Sequence, residues 1–206
     1  MSNNALGYDQ VLPESIRGIF KSVYEDVVWL QCKWDFYIGL FSSREKTDLL
    51  SDLAQTSFKI IEESLRADMT MTICRLGDSS RSTIKGKTFD NLSLETLIER
   101  CDKVKNVTSL LQDFRSASKP VRDYRNKGVG HNDLNTSIRP TDNPLPGISR
   151  SQIDKTLKLA WQILNVIYQH FVPDTELGAG VRVISGADTL IYWLKLAHEY
   201  RNKGIK

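Results

Sequence analysis

Apolar residues recur along this chain at three- and four-residue intervals, the spacing that puts them on one face of a helix. Over 13–41 they fall at Ile16, Ile19, Phe20, Val23, Val27, Leu30, Trp34 and Ile38, which predicts a first helix. Within it, Val27-Val28-Trp29-Leu30 leaves little polar face and predicts burial on most sides. Ser43 has the character of an N-cap, and a second stripe follows it to about Arg75: Leu49, Leu50, Leu53, Phe58, Ile61, Leu65, Met69, Thr72 and Leu76. A helix of that length with no breaker predicts a long antiparallel hairpin with the first.

Gly77-Asp78-Ser79-Ser80 stops the second helix. Residues 79–92 are polar, contain Gly86 and several lysines and arginines, and read as a loop. Ser93 caps a short helix to about Cys101, and another spans 107–114. Ser116-Ala117-Ser118 reads as a break, with Pro120 opening a separate helix, 120–127, in the first-turn position that proline suits. Four prolines and glycines in 132–148 predict an irregular connection. A helix from Ser151 to about Phe171 turns Ile153, Leu157, Ala160, Trp161, Leu164, Ile167 and Tyr168 inward, and after a glycine-rich link 188–203 is a last amphipathic helix. The pattern is that of one all-α domain spanning 1–206.

Composition adds limits. With 206 residues, 40% of them hydrophobic and 26% charged, the chain can bury one substantial core. A net charge of +3 excludes a polycation that binds nucleic acid by bulk charge, so any such site is a local patch. Cys32, Cys74 and Cys101 are scattered and the three histidines are far apart, which supports neither a metal site nor a disulfide framework. No cofactor is expected. With no apolar signal core and no run of about 18 apolar residues, the expectation is a cytoplasmic protein without a membrane span.

Candidate chemistry gathers between Arg115 and His131. Arg115, Lys119, Arg122, Arg125 and Lys127 supply five basic groups against one acid, Asp123. Arg122 and Arg125, three apart, can share a helix face. Arg125 and His131 are six apart, about 240° around an unbroken helix, so they converge only if the helix ends between them. Gly128 and Gly130 permit that ending. Arginine grips a phosphate through a planar fork and histidine moves protons near neutral pH, so the pair suits RNA cleavage by the substrate's own 2′-hydroxyl, with Asn126 orienting either group. Lys119, Arg122 and Lys127 are candidate phosphate contacts. One feature tempers this reading. Tyr124-Arg125-Asn126-Lys127-Gly128 recurs as Tyr200-Arg201-Asn202-Lys203-Gly204, ordinary helix-stop grammar, and only the first copy is followed by a histidine. His170 and His198 read as structural or surface residues.

Arg125-Asn126, with His131 and then Asn132-Asp133-Leu134, resembles the signature of HEPN domains, in particular the abortive-infection AbiU-like branch. Ile73-Cys74-Arg75-Leu76-Gly77-Asp78 resembles the Arg-Leu-x-Asp that closes a long helix there, and Asn91-Leu92-Ser93-Leu94-Glu95-Thr96-Leu97 resembles the next segment. Gly130 stands where the family usually has alanine. The likeness covers about 45–170, with the helices 13–41 and 188–203 packed on that part. It implies an all-α, HEPN-like helical bundle, a homodimer, and a metal-independent endoribonuclease of a phage-defence or toxin–antitoxin system. Arg125 and His131 of two protomers would line a shared cleft, with Asn126 in support and RNA as substrate. Arg75 and Asp78 are left with two roles: a helix-end ion pair near the cleft or, for Arg75, a contact to RNA. An antitoxin is a partner that the resemblance raises. The alternative it leaves open is a non-catalytic helical module that binds RNA, a nucleotide or a protein.

Overall fold

A computed structural model of the chain describes residues 11–101, 104–129, 147–177 and 186–204. Its helices are α1 (Glu14–Phe41), α2 (Arg44–Leu76), α3 (Leu94–Arg100), α4 (Val107–Tyr124), α5 (Arg150–Phe171) and α6 (Ala187–Asn202). A two-stranded hairpin, β1 (Arg81–Ile84) and β2 (Lys87–Asp90), lies between α2 and α3. The fold is therefore all-α, as the apolar spacing predicts. No helix among the described residues is long and apolar enough to cross a membrane.

The chain forms two compact units. One contains Met1–Val28 and Thr70–Ala179; the other contains Trp29–Met69 and Gly180–Lys206. In the first unit, the core joins Ile16, Phe20, Val23 and Val27 of α1 to Ile73 and Leu76 of α2. Leu94 and Leu97 of α3, Leu111, Phe114 and Val121 of α4, and the inner face of α5 complete it. All seven positions predicted to face inward on α5 are buried, with Thr156, Leu159 and Ile163 besides. Each large side chain so removed from water contributes about 1.5–3 kcal/mol. Aromatic rings fix the contact between α1 and α5: Tyr24 meets Trp161 edge-on at 5.8 Å, and Phe20 lies 6.1 Å from Tyr168. Ser149 caps α5 in a reciprocal box with Gln152, two residues before the predicted opening.

In the second unit, Leu40, Leu50, Phe58, Ala187 and Ile191 form the core. Gly39 has no room for a Cβ, because Ala187 occupies that space. The antiparallel hairpin of α1 and α2 is visible pair by pair within each unit. Lys33 bonds Asp68 and Tyr37 bonds Glu62 in the second; Arg75 approaches Asp26 in the first. Partners rise in one helix as they fall in the other.

Four expectations are corrected. Trp29 is 57% exposed, although Val27 and Leu30 on either side of it are buried, so that stretch keeps an open face. The second helix is kinked at Ala54, where φ is −161° and ψ is 65°. The nearby Asp52 carbonyl accepts from Arg201 Nη1 at 2.8 Å, and a side chain inserted at the helix ladder is a recognised cause of bending. The segment read as a loop holds the β-hairpin. The break at Ser116–Ser118 is absent, and α4 runs through Pro120. The cost of proline in a helix is about 3 kcal/mol. Burial of Leu111, Phe114, Ser118 and Val121 along one face offsets it.

The two Arg-Asn-Lys-Gly copies end differently. At the second, α6 stops at Asn202 and Gly204 takes φ of 65°, the left-handed residue of a helix stop. At the first, the chain passes from α4 into a π-helical turn, Arg125–Val129, that contains Gly128. Gly130, His131 and most of 132–148 lie outside the described residues, as does most of the glycine-rich link before α6.

Candidate active site

The last turn of α2 and the two residues after it leave backbone carbonyls that no further helical N–H can satisfy, at the negative end of the helix dipole. Two arginines of α4 meet them. Seven residues separate Arg115 from Arg122, close to two full turns, so both emerge on one face. Arg115 donates from Nε to the Gly77 carbonyl at 3.1 Å and from Nη2 to the Asp78 carbonyl at 3.3 Å. Arg122 donates from Nη2 to the Cys74 carbonyl at 3.1 Å and from Nη1 to Asp78 Oδ1 at 2.8 Å. Gly77 makes the approach feasible, since a Cβ there would sit 3.1 Å from Phe114 Cε1 and 3.3 Å from Arg122 Nη2.

Glu95, in the first turn of α3, completes the clamp. Its Oε1 accepts from Arg115 Nη1 at 2.9 Å and its Oε2 from the Ser80 N–H at 2.6 Å. The Arg115 hydrogen bond, opposed by partial burial and assisted by the Ser80 N–H, holds this carboxyl below the usual carboxylate range. Burial pushes the Cys74 thiol up, against the pull of the Arg125 and Arg122 charges. A buried thiol held protonated is a poor nucleophile.

Arg125 follows Arg122 by three residues, at the point where α4 becomes the π turn. Its Nε and Nη2 both donate to Asn126 Oδ1, at 3.1 and 2.8 Å. Among the described residues no carboxylate pairs with Arg125, Lys119 or Lys127. Arg122, by contrast, is engaged with Asp78. A π turn within a helical segment is rare and frequently marks a functional site.

Residues 13–179 match the family model HEPN_AbiU2, described as AbiU2. The chain belongs to this HEPN family. No curated protein and no solved structure matches it. The HEPN match runs from α1 beyond the end of α5 and stops before α6.

Within this HEPN chain the predicted residues separate into three groups. Arg125 and Asn126 are joined directly. Arg122 and Asp78 form a helix-end ion pair, whereas Arg75 points elsewhere: its Nη2 lies 3.4 Å from Thr72 Oγ1 and 3.9 Å from Asp26. His131 lies outside the described residues; the last one described before it, Val129, closes the π turn. Arg115 is legible in the sequence only as one of five basic groups, and Glu95 only as part of a resembling segment; the clamp they form is not. Its one local signal is the seven-residue spacing of Arg115 and Arg122.

A cleft of about 460 Å³ in the second unit is lined by Glu45, Asp48, Leu49, Asp52, Lys195, His198 and Glu199. Glu45 pairs with Lys195, and Asp52 with His198 at 3.4 Å. Its carboxylates give it the wrong sign for a phosphate backbone. His170 packs edge-on against Phe171.

Proposed function

We propose that this HEPN chain is a metal-independent endoribonuclease of a phage-defence or toxin–antitoxin system, working as a homodimer. The observation that carries the reading is the state of Arg125. It is the arginine at the end of a clamped helix that no carboxylate neutralises among the described residues, and Asn126 holds its fork at one edge. A guanidinium left unneutralised can bind a phosphate oxygen bidentately. His131 belongs to the chain just beyond the π turn.

In this mechanism Arg125 grips the scissile phosphate and stabilises the charge that grows on its oxygens. A neutral His131 imidazole takes the 2′-hydroxyl proton, the 2′-oxygen attacks phosphorus, and the P–O5′ bond breaks. An imidazolium in the same dimer cleft protonates the departing 5′-oxygen. The products are a 2′,3′-cyclic phosphate and a 5′-hydroxyl. Lys119 and Lys127 steer the backbone, and RNA is the only partner the chemistry requires.

The test is cleavage of RNA by the purified chain with chelator present. Wild type is expected to release cyclic-phosphate ends, and His131→Ala and Arg125→Ala to lose at least 100-fold in rate while remaining folded dimers by light scattering. Salt-sensitive RNA binding that His131→Ala leaves intact, with no product from wild type, would instead identify a non-catalytic RNA-binding module.

A further inference from the structure

The β-hairpin between α2 and α3 is built unlike the rest of the first unit. Its strands pair Arg81 with Asp90, Ser82 with Phe89, Thr83 with Thr88 and Ile84 with Lys87, through a two-residue turn at Lys85 and Gly86. Both turn residues have positive φ, 49° and 77°, the geometry whose twist suits a tight hairpin. Side chains alternate between the two faces. One face carries Arg81, Thr83, Thr88 and Asp90. On it Asp90 faces both Arg81 and Arg100, at 3.4 and 3.6 Å, so its carboxylate offsets one of the two guanidinium charges. The other carries Ser82, Ile84, Lys87 and Phe89. There Phe89 is 50% exposed and Ile84 59% exposed. Among the described residues neither Lys87 nor Lys85, at the tip, has a carboxylate partner.

A two-stranded hairpin on its own is marginal in water, yet this one is held firmly at its base. Asn91 N–H donates to the Ser80 carbonyl at 2.8 Å, and Asn91 Nδ2 to the Ser79 carbonyl at 2.8 Å. Thr96 Oγ1 donates to the Asn91 carbonyl, and Ser80 bonds both Glu95 and Glu99. Through Glu95 the base is bonded to Arg115 on α4. From Arg115 to Arg125 is about 15 Å along the helix axis, and each strand is about 13 Å long. The arm is thus rooted within a few nucleotides' reach of Arg125.

We propose that this hairpin is a single-stranded-RNA-binding arm, with Phe89 stacking on an unpaired base and Lys85 and Lys87 holding the neighbouring phosphates. This deepens the ribonuclease reading and rests on it for the choice of RNA. Phe89 and Lys87 lie two residues apart on one face, roughly 6.7 Å, which suits contact with a base and an adjoining phosphate. An exposed ring beside unneutralised lysines is the combination that binds unpaired strands, whose bases offer free faces. Bases inside a duplex are stacked on both sides and offer Phe89 nothing. Charge also decides against a protein added at the sheet edge. The strands are only four residues long, and the apolar groups share their face with the unpaired Lys87, with Lys85 beside them at the tip.

The experiment uses the full chain with His131→Ala, to prevent cleavage, and a fluorescein-labelled 20-nucleotide RNA, alone or annealed to its complement. Anisotropy titrations give both affinities. Phe89→Ala is expected to weaken single-strand binding roughly 5- to 100-fold, Phe89→Trp to restore it, and duplex binding to stay unchanged. Lys85→Ala with Lys87→Ala should flatten the single-strand salt dependence by about 1.4 in log–log slope. Failure of the parent to bind single-stranded RNA overturns the proposal. So does a Phe89→Ala affinity equal to the parent's, an equal loss on duplex, or a hairpin variant that loses only a protein complex. If wild type cuts no RNA but Phe89→Ala shows the predicted loss, the arm stands and the ribonuclease reading falls. If wild type cuts RNA and Phe89→Ala binds as the parent does, the reverse holds.

Discussion

Arg122 and Asp78, 44 residues apart in the chain, are joined by a 2.8 Å hydrogen-bonded ion pair, while the same guanidinium also holds the Cys74 carbonyl. One side chain therefore ties the end of α2 to the last turn of α4, and Arg125 leaves α4 from the next turn. Both partners are about one-third exposed, so solvent screens part of the attraction. Arg122→Ala should cost about 1–2 kcal/mol and lower the melting temperature by several degrees. In a double-mutant cycle with Asp78→Asn, the coupling should be about 1 kcal/mol. A coupling near zero would mean that the pair does not hold the two helices.

Glu95 predicts an acid dependence. Its carboxyl holds protons less tightly in the folded chain than in the unfolded one, first because Arg115 bonds it. Stabilisation from that difference is complete above the unfolded value, about 4.3 for glutamate. It disappears as pH falls through the lower folded value. Urea unfolding should show Glu95→Gln less stable than wild type at pH 7, with the gap closing as pH falls towards 3. A gap that is constant with pH would remove the ion pair from the account.

Gly77 predicts a positional effect. An alanine Cβ would press on Phe114 and on the Arg122 guanidinium at 3.1 and 3.3 Å. Gly77→Ala should destabilise the chain by about 1–3 kcal/mol, and in the presence of Arg122→Ala the penalty should shrink. Equal penalties in the two backgrounds, read from thermal melts, would place the strain on Phe114 alone.

Pro120 predicts a gain. Its missing N–H leaves one rung of the α4 ladder unmade. Pro120→Ala should raise stability by about 1–3 kcal/mol. A loss in thermal or chemical unfolding would show that the ring's packing outweighs the restored hydrogen bond.

Much of the fold is legible because its signals are local. Ser93 caps α3 through the Thr96 N–H, and the inward face of α5 follows from helical spacing alone. Long-range outcomes are harder to read. Ser116-Ala117-Ser118 followed by Pro120 is a local signal for a break and a fresh start, overruled by Phe114, Ser118 and Val121 packing on the core. The hairpin's turn uses Lys85 in a left-handed conformation rather than the Asn-Gly that advertises such turns. At the candidate site, Arg125 with Asn126 is readable as a neighbouring pair. The engagement of Arg115 and Arg122 is not, because their acceptors come from residues 74–95 and nothing near them in sequence encodes the meeting.

The π turn at Arg125–Val129 has a consequence for how this segment can change. A π turn bonds each residue to one five positions away rather than four, so it behaves as an insertion that the helix has absorbed. Deleting Gly128 would remove that absorbed residue and return the winding after Arg125 to α pitch. The turn is thus a place where descent can add or remove one residue without breaking the helix that carries Arg125.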